Sequence, residues 1–201
     1  HDLRNPITVL KGSLKLLRNG TADEQAIDRL ERYTLRIEQY VEAMSSIQRI
    51  EQMPVQINEV TASVLRTELE ETAGLFAPTL HIEVSVPDMG TLRIDHGVFL
   101  NVAENLIGNA ARFAQTKIRI TLAVEKDILF LSVIDDGPGF PVELTKNGPQ
   151  PFGRAEVSSE HFGMGLYSSS LLCLKHGGNL RLENSPAGTV ATASIQINFK
   201  S

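Results

Sequence analysis

From Thr21 to Met53 the chain has neither glycine nor proline, whereas thirteen of its fifteen glycines and all eight phenylalanines lie beyond Met53. A stretch without helix breakers next to one rich in turn-formers and aromatic rings implies two folding units of different character. The segment MPVQINEV around Pro54 marks the joint.

Leu3, Ile7, Leu10, Leu14 and Leu17 recur at alternating four- and three-residue intervals, a heptad seam. RNGTADEQ then interrupts the pattern with Gly20 and a helix-start signal at Thr21 or Asp23, after which Ile27, Leu30, Thr34, Ile37, Val41 and Met44 resume it. The expected product is a helical hairpin over residues 1–53. Narrow apolar stripes bury poorly within one hairpin, so two hairpins are expected to form a four-helix bundle in a homodimer; the alternative is packing on the second unit. His1 precedes the seam residue Leu3 and falls on the outer side of the heptad, facing solvent.

The second unit, expected over 59–201 after a linker at 54–58, alternates strand and helix patterns. NEVTASVLRTELEETAGLFA reads as a helix, LHIEVSV and TLRI as strands, and HGVFLNVAENLIGNAARFA as a second helix. KIRITLAVE and DILFLSVID read as an antiparallel pair joined by a tight turn. GMGLYSSSLLCLKH reads as a helix ending at Gly177, followed by the strands NLRLEN and TVATASIQI. The class is α+β: a helical hairpin followed by an α/β sandwich with helices over one face of a mixed sheet.

The formal net charge of -5 provides no basic stripe for nucleic acid, and Cys173 is the single cysteine, so neither an internal disulfide nor a cysteine-based zinc cluster is possible. No apolar run reaches the length of a membrane span. The chain starts with histidine inside a helical pattern and reads as part of a longer protein, so any membrane contact is expected through upstream segments.

Three stretches carry possible chemistry. Asn101, Asn105, Asn109 and Arg112 share one helix face, opposite an expected apolar face of Phe99, Val102, Leu106, Ala110 and Phe113. A solvated surface is one reading. The other is that amide oxygens hold a hydrated magnesium ion that bridges phosphates, with Arg112 one turn on. VIDDGPGF places Asp135 at a strand end with Gly137 and Gly139 in the turn, which is either a plain turn or a close approach to a ligand amino group. FGMGL puts Gly163 and Gly165 at a helix mouth, where free amides favour phosphate, or where glycine is mere punctuation.

Taken in order, HDLRNP, ENLIGNAARF, DDGPGF, GMGL, HGGNL and AGT resemble the transmitter region of sensor histidine kinases over essentially the whole chain. The resemblance implies an ATP-binding domain of the histidine kinase, gyrase and Hsp90 type, with ATP and Mg2+ bound. It implies His1 as phosphoacceptor, Asp2 as its general base, and Asn5 as the residue that orients water for dephosphorylating a partner. Asn105 and Asn109 match the asparagine box, with Asn109 the stronger magnesium ligand. Asp135 matches the reader of the adenine amino group, and Gly137, Gly139, Gly163, Gly165, Leu166 and Thr189 match the surrounding pocket.

A lid is implied over about 141–162, with Arg154 as a phosphate contact. His161 stands where the family usually has glycine, and Pro149 where it usually has phenylalanine. The implied activity is autophosphorylation of His1 and transfer to an aspartate of a response-regulator receiver domain, in the cytoplasmic portion of a membrane-anchored bacterial receptor. An ATPase of the same fold and a non-catalytic dimerising, nucleotide-sensing module are the alternatives. Relatives of the ATPase kind carry glutamate where Asn105 stands, and an amide cannot deprotonate water, which favours the kinase.

Overall fold

The computed structural model describes residues 4–20, 24–149, 164–186 and 188–197. The chain divides into two compact units, His1–Arg49 and Ile50–Ser201.

In the first unit, α1 (Arg4–Arg18) is followed by α2 (Glu24–Gln52), which runs three residues into the second unit. α1 ends where Gly20 takes a left-handed backbone, φ 69°, and its N–H returns to the Leu17 carbonyl at 3.1 Å. Ser13 and Ala26 are buried, whereas the seam residues Ile7, Leu14, Leu17, Ile27, Val41 and Met44 are exposed. The heptad stripe therefore lies open on a single hairpin. No helix among the described residues is long and apolar enough to cross a membrane.

The second unit contains β1 (Ile57–Thr61), α3 (Ala62–Phe76), β2 (His81–Ser85), β3 (Thr91–Asp95) and α4 (His96–Phe113). It continues with β4 (Lys117–Glu125), β5 (Ile128–Asp135), α5 (Val142–Asn147), α6 (Met164–Lys175), β6 (Leu180–Ser185) and β7 (Gly188–Gln196). Five strands form a mixed sheet in the order β2-β4-β5-β7-β6, parallel only between β2 and β4. β4 and β5 are joined by the expected tight turn, at Lys126 and Asp127.

Alternation aims Ile118, Ile120 and Leu122 of β4, Leu129, Leu131 and Val133 of β5, and Ala191, Ala193 and Ile195 of β7 into one buried layer. Leu65, Leu69 and Ala73 of α3 meet that layer at four-residue spacing, as do Val98, Val102, Leu106 and Ala110 of α4.

Two expectations are corrected. Residues 58–61, read as the start of a helix, belong to β1, which pairs antiparallel with β3 in a separate two-stranded sheet. The helix begins at Ala62 because Thr61 adopts an extended backbone and its hydroxyl accepts the Val64 N–H. Phe113 is 48% exposed and does not join the apolar face of α4, because the helix ends there and the chain turns toward β4.

Cys173 is fully buried in the core, and burial pushes its thiol up to about 12, so it acts as a small apolar filler.

Candidate functional site

The site is built around Asp135, the last residue of the central strand β5. Its carboxylate is buried, a costly location unless its oxygens are partnered. Oδ1 accepts the Gly137 N–H at 2.8 Å and Oδ2 accepts the Thr189 hydroxyl. Thr189 reaches it because β5 and β7 pair with Asp135 directly opposite Thr189. A carboxylate has about four acceptor positions. Two serve these internal donors, and the remaining capacity suits an amino group of a ligand.

The backbone around Asp135 closes in more tightly than a side chain allows. A Cβ on Gly188, where φ is 126°, would lie 1.9 Å from the Asp135 carbonyl oxygen. One on Gly137 would lie 2.6 Å both from Asp135 Oδ1 and from the carbonyl oxygen of Phe113, the last residue of α4. Glycine at 137 thus lets the DDGPGF loop rest on the end of the asparagine-bearing helix.

That loop is tied at both ends by residues the sequence did not single out. Asp136 accepts N–H donors from Gln115 at 2.8 Å, Thr116 at 3.0 Å and Lys117 at 3.2 Å, as well as the Thr116 hydroxyl. The Thr116 hydroxyl first, then its backbone N–H, holds the Asp136 carboxyl well below the usual carboxylate range. At the other end, Asn184 of β6 accepts the Phe140 N–H at 2.7 Å and donates to the Phe140 carbonyl at 2.9 Å. Gly139, between the two ties, has φ 96°.

Along α4, Asn101 is exposed, Asn105 and Asn109 are half-buried, and Arg112 lies exposed in the last turn. The Asn105 amide nitrogen donates to Asn101 Oδ1 at 3.2 Å and to the Ser169 hydroxyl of α6 at 3.1 Å. Both donors being engaged, the acceptor oxygen points to Gly165, whose Cβ position would lie 2.9 Å from it. The asparagine face is thus keyed to the glycine-bearing helix.

Amide oxygens suit a hard cation that keeps most of its water, and among the described residues no cluster of His, Cys, Asp and Glu offers a different kind of metal site. Ser169 is completely buried, so Ser169→Ala is expected to lower stability by about 1 kcal/mol through the lost bond to Asn105. Urea unfolding followed by circular dichroism measures this, and an unchanged midpoint would show that the bond contributes nothing.

Asp135, Thr189 and Gly137 therefore meet directly, as do Asn105 and Gly165. Leu166 is buried in the core. His1, Asp2, Arg154 and Gly163, together with the side chain of Asn5, lie outside the described residues, as does most of the expected lid. The described part of that lid contains α5 and a buried Pro149.

Residues 94–199 match the family model described as histidine kinase-, DNA gyrase B-, and HSP90-like ATPase, and residues 1–52 match the His kinase A phospho-acceptor domain. The chain is 28% identical over 196 residues to the sensor histidine kinase CpxA of Escherichia coli strain K12, a match covering 94% of this chain and 43% of that protein. It thus spans less than half the length of that relative.

Among solved structures, the Acinetobacter baumannii histidine kinase AdeS superposes with a TM-score of 0.62 at 22% identity, covering 99% of this chain and 98% of that one. Full-length ShkA in complex with AMPPNP superposes with a TM-score of 0.62 at 19% identity, covering 100% of this chain and 45% of that one. At such identities the likeness is one of fold.

Proposed function

The chain belongs to the histidine kinase-, DNA gyrase B-, and HSP90-like ATPase family, and from that premise we propose that it is the kinase portion of a two-component sensor histidine kinase. In this reading a phosphoacceptor hairpin over 1–53 is joined through residues 54–58 to an ATP-binding domain over 59–201. The observation that carries it is the joint arrangement, in one folded unit, of buried Asp135 with Thr189 and Gly137, and of the Asn105 oxygen with Gly165.

Asp135 accepts the adenine amino group, and Gly139 shapes the adenine side of the pocket. Asn109 and Asn105 hold magnesium through their amide oxygens, which when bound neutralises charge on the phosphates. Gly163, Gly165 and the start of α6 receive the phosphates, since the first turn of a helix leaves backbone N–H groups without intrahelical partners, with Arg112 and Arg154 as charged contacts.

His1 then attacks the γ-phosphorus through one imidazole nitrogen. An N–P bond forms as the bond from the γ-phosphorus to the bridging oxygen breaks, ADP leaves, and Asp2 takes the proton from the other nitrogen. The phosphoryl group passes to a carboxylate of a response-regulator receiver domain, and Asn5 orients water when the same scaffold dephosphorylates that partner, the water forming a bond to phosphorus as the aspartyl P–O bond breaks and inorganic phosphate leaves. The exposed seam of the hairpin is covered by a second copy, giving a four-helix bundle.

The test is incubation with γ-labelled ATP and magnesium. Label that stays on the protein through base and is lost in acid is the expected result. Sustained phosphate release with no retained label would instead make the protein an ATPase of this fold, and nucleotide binding with neither label nor release would make it a sensing module.

A further inference from the structure

The two helices that carry the site are fastened at the end remote from it. His176, just past α6, is buried, and its Nδ1 lies 2.8 Å from the Leu172 carbonyl while its Nε2 lies 3.3 Å from Asp95 Oδ2. A carbonyl only accepts, so Nδ1 donates to Leu172 and Nε2 is the ring nitrogen that faces Asp95.

Asp95 is equally buried and serves three partners. Its Oδ1 caps α4 by accepting the Val98 N–H at 3.2 Å, and its Oδ2 accepts the Gln56 N–H at 2.8 Å in addition to facing His176. Ten residues on along α4 stands Asn105, and eleven residues back along α6 stands Gly165, which meet each other in the site. The helices are therefore antiparallel, keyed at two levels about 15 Å apart at 1.5 Å per residue.

We infer that His176 is a positioning residue of the nucleotide site: through Asp95 it pins the end of α6 to the cap of α4 and so sets the approach of Gly165 to Asn105. The inference rests on the reading of that site as an ATP pocket. Its physical basis is leverage along two stiff rods, since a misplacement of about 1 Å at a reacting centre costs on the order of a hundredfold.

Glutamine and asparagine at 176 separate positioning from general support. Gln places its amide nitrogen near the former Nε2 and retains the bond to Asp95, whereas Asn reaches only the Leu172 side. Magnesium-ATP binding to the full chain is measured by titration calorimetry, with circular dichroism confirming the fold of each variant. His176→Gln is expected within threefold of the unmodified chain, and His176→Asn at least tenfold weaker.

Asp95→Ser keeps a capping oxygen for α4 but gives up the acceptor that faces both His176 and the Gln56 N–H, and it is expected to lose at least as much affinity as His176→Asn. It decides the matter if His176→Asn does not fold. Wild-type affinity in Asp95→Ser or in folded His176→Asn, or equal losses in His176→Gln and His176→Asn, overturns the inference. Absence of binding in the unmodified chain would instead remove the ATP reading beneath it.

Discussion

Magnesium-ATP affinity is expected to fall about a hundredfold when Asp135 is replaced by asparagine. A hydrogen bond to a charged acceptor contributes about 1.5–3 kcal/mol, and each 1.4 kcal/mol is a factor of ten in affinity. Asparagine also has only one acceptor oxygen, while the Gly137 N–H and the Thr189 hydroxyl already claim both carboxylate oxygens.

Whichever way the new amide turns, one internal donor loses its acceptor, and the amide nitrogen presents a donor where the proposed adenine amino group needs an acceptor. Titration calorimetry with magnesium-ATP measures the loss, with a thermal melt confirming the fold. A folded variant that binds within threefold of the unmodified chain would remove Asp135 from the recognition of adenine.

Replacing His1 by glutamine is expected to abolish acid-labile labelling while leaving magnesium-ATP affinity within about twofold. Glutamine retains polarity and approximate size but offers no nitrogen lone pair able to attack phosphorus, so the phosphoryl group has no acceptor. The proposed ATP contacts all lie beyond residue 100. Calorimetry of the same variant separates loss of the acceptor from loss of the pocket. Label that persists at the unmodified level would place the phosphoacceptor elsewhere.

Much of this architecture was legible because hydrophobic period and glycine placement are local signals. Alternation marked β4, β5 and β7, and the helical period marked α4, with Val102, Leu106 and Ala110 buried as expected. NEVT, residues 58–61 of β1, lacks a strong period of its own and in sequence suits the start of α3; its identity as strand is decided by pairing with β3, thirty or more residues away. Phe113 fitted the helical period but stands at the helix end, where the core no longer continues.

The supporting residues were less visible for a related reason. Asp136 looks like any surface acid until the connection from α4 to β4 brings three backbone N–H groups to its oxygens. Ser169 and Asn184 are ordinary polar residues in sequence, and only the packing of α6 on α4, and of β6 beside the loop, gives them partners. Asp95 and His176 are 81 residues apart, and nothing local to either announces the other.

The sequence by itself determined which residues are able to bind, accept or turn. The division at the glycine-free stretch, the asparagines on one face of α4 and the glycines flanking Asp135 follow from chain periodicity and from the steric freedom of glycine. Tertiary structure alone decided which of those residues meet. It placed Thr189 opposite Asp135, turned the Asn105 oxygen toward Gly165, and joined Asp95 to His176. The reason is physical: a buried polar group must find a partner wherever the packed backbone brings one, and that place is set by strand register and helix contact, which no stretch of sequence read alone contains.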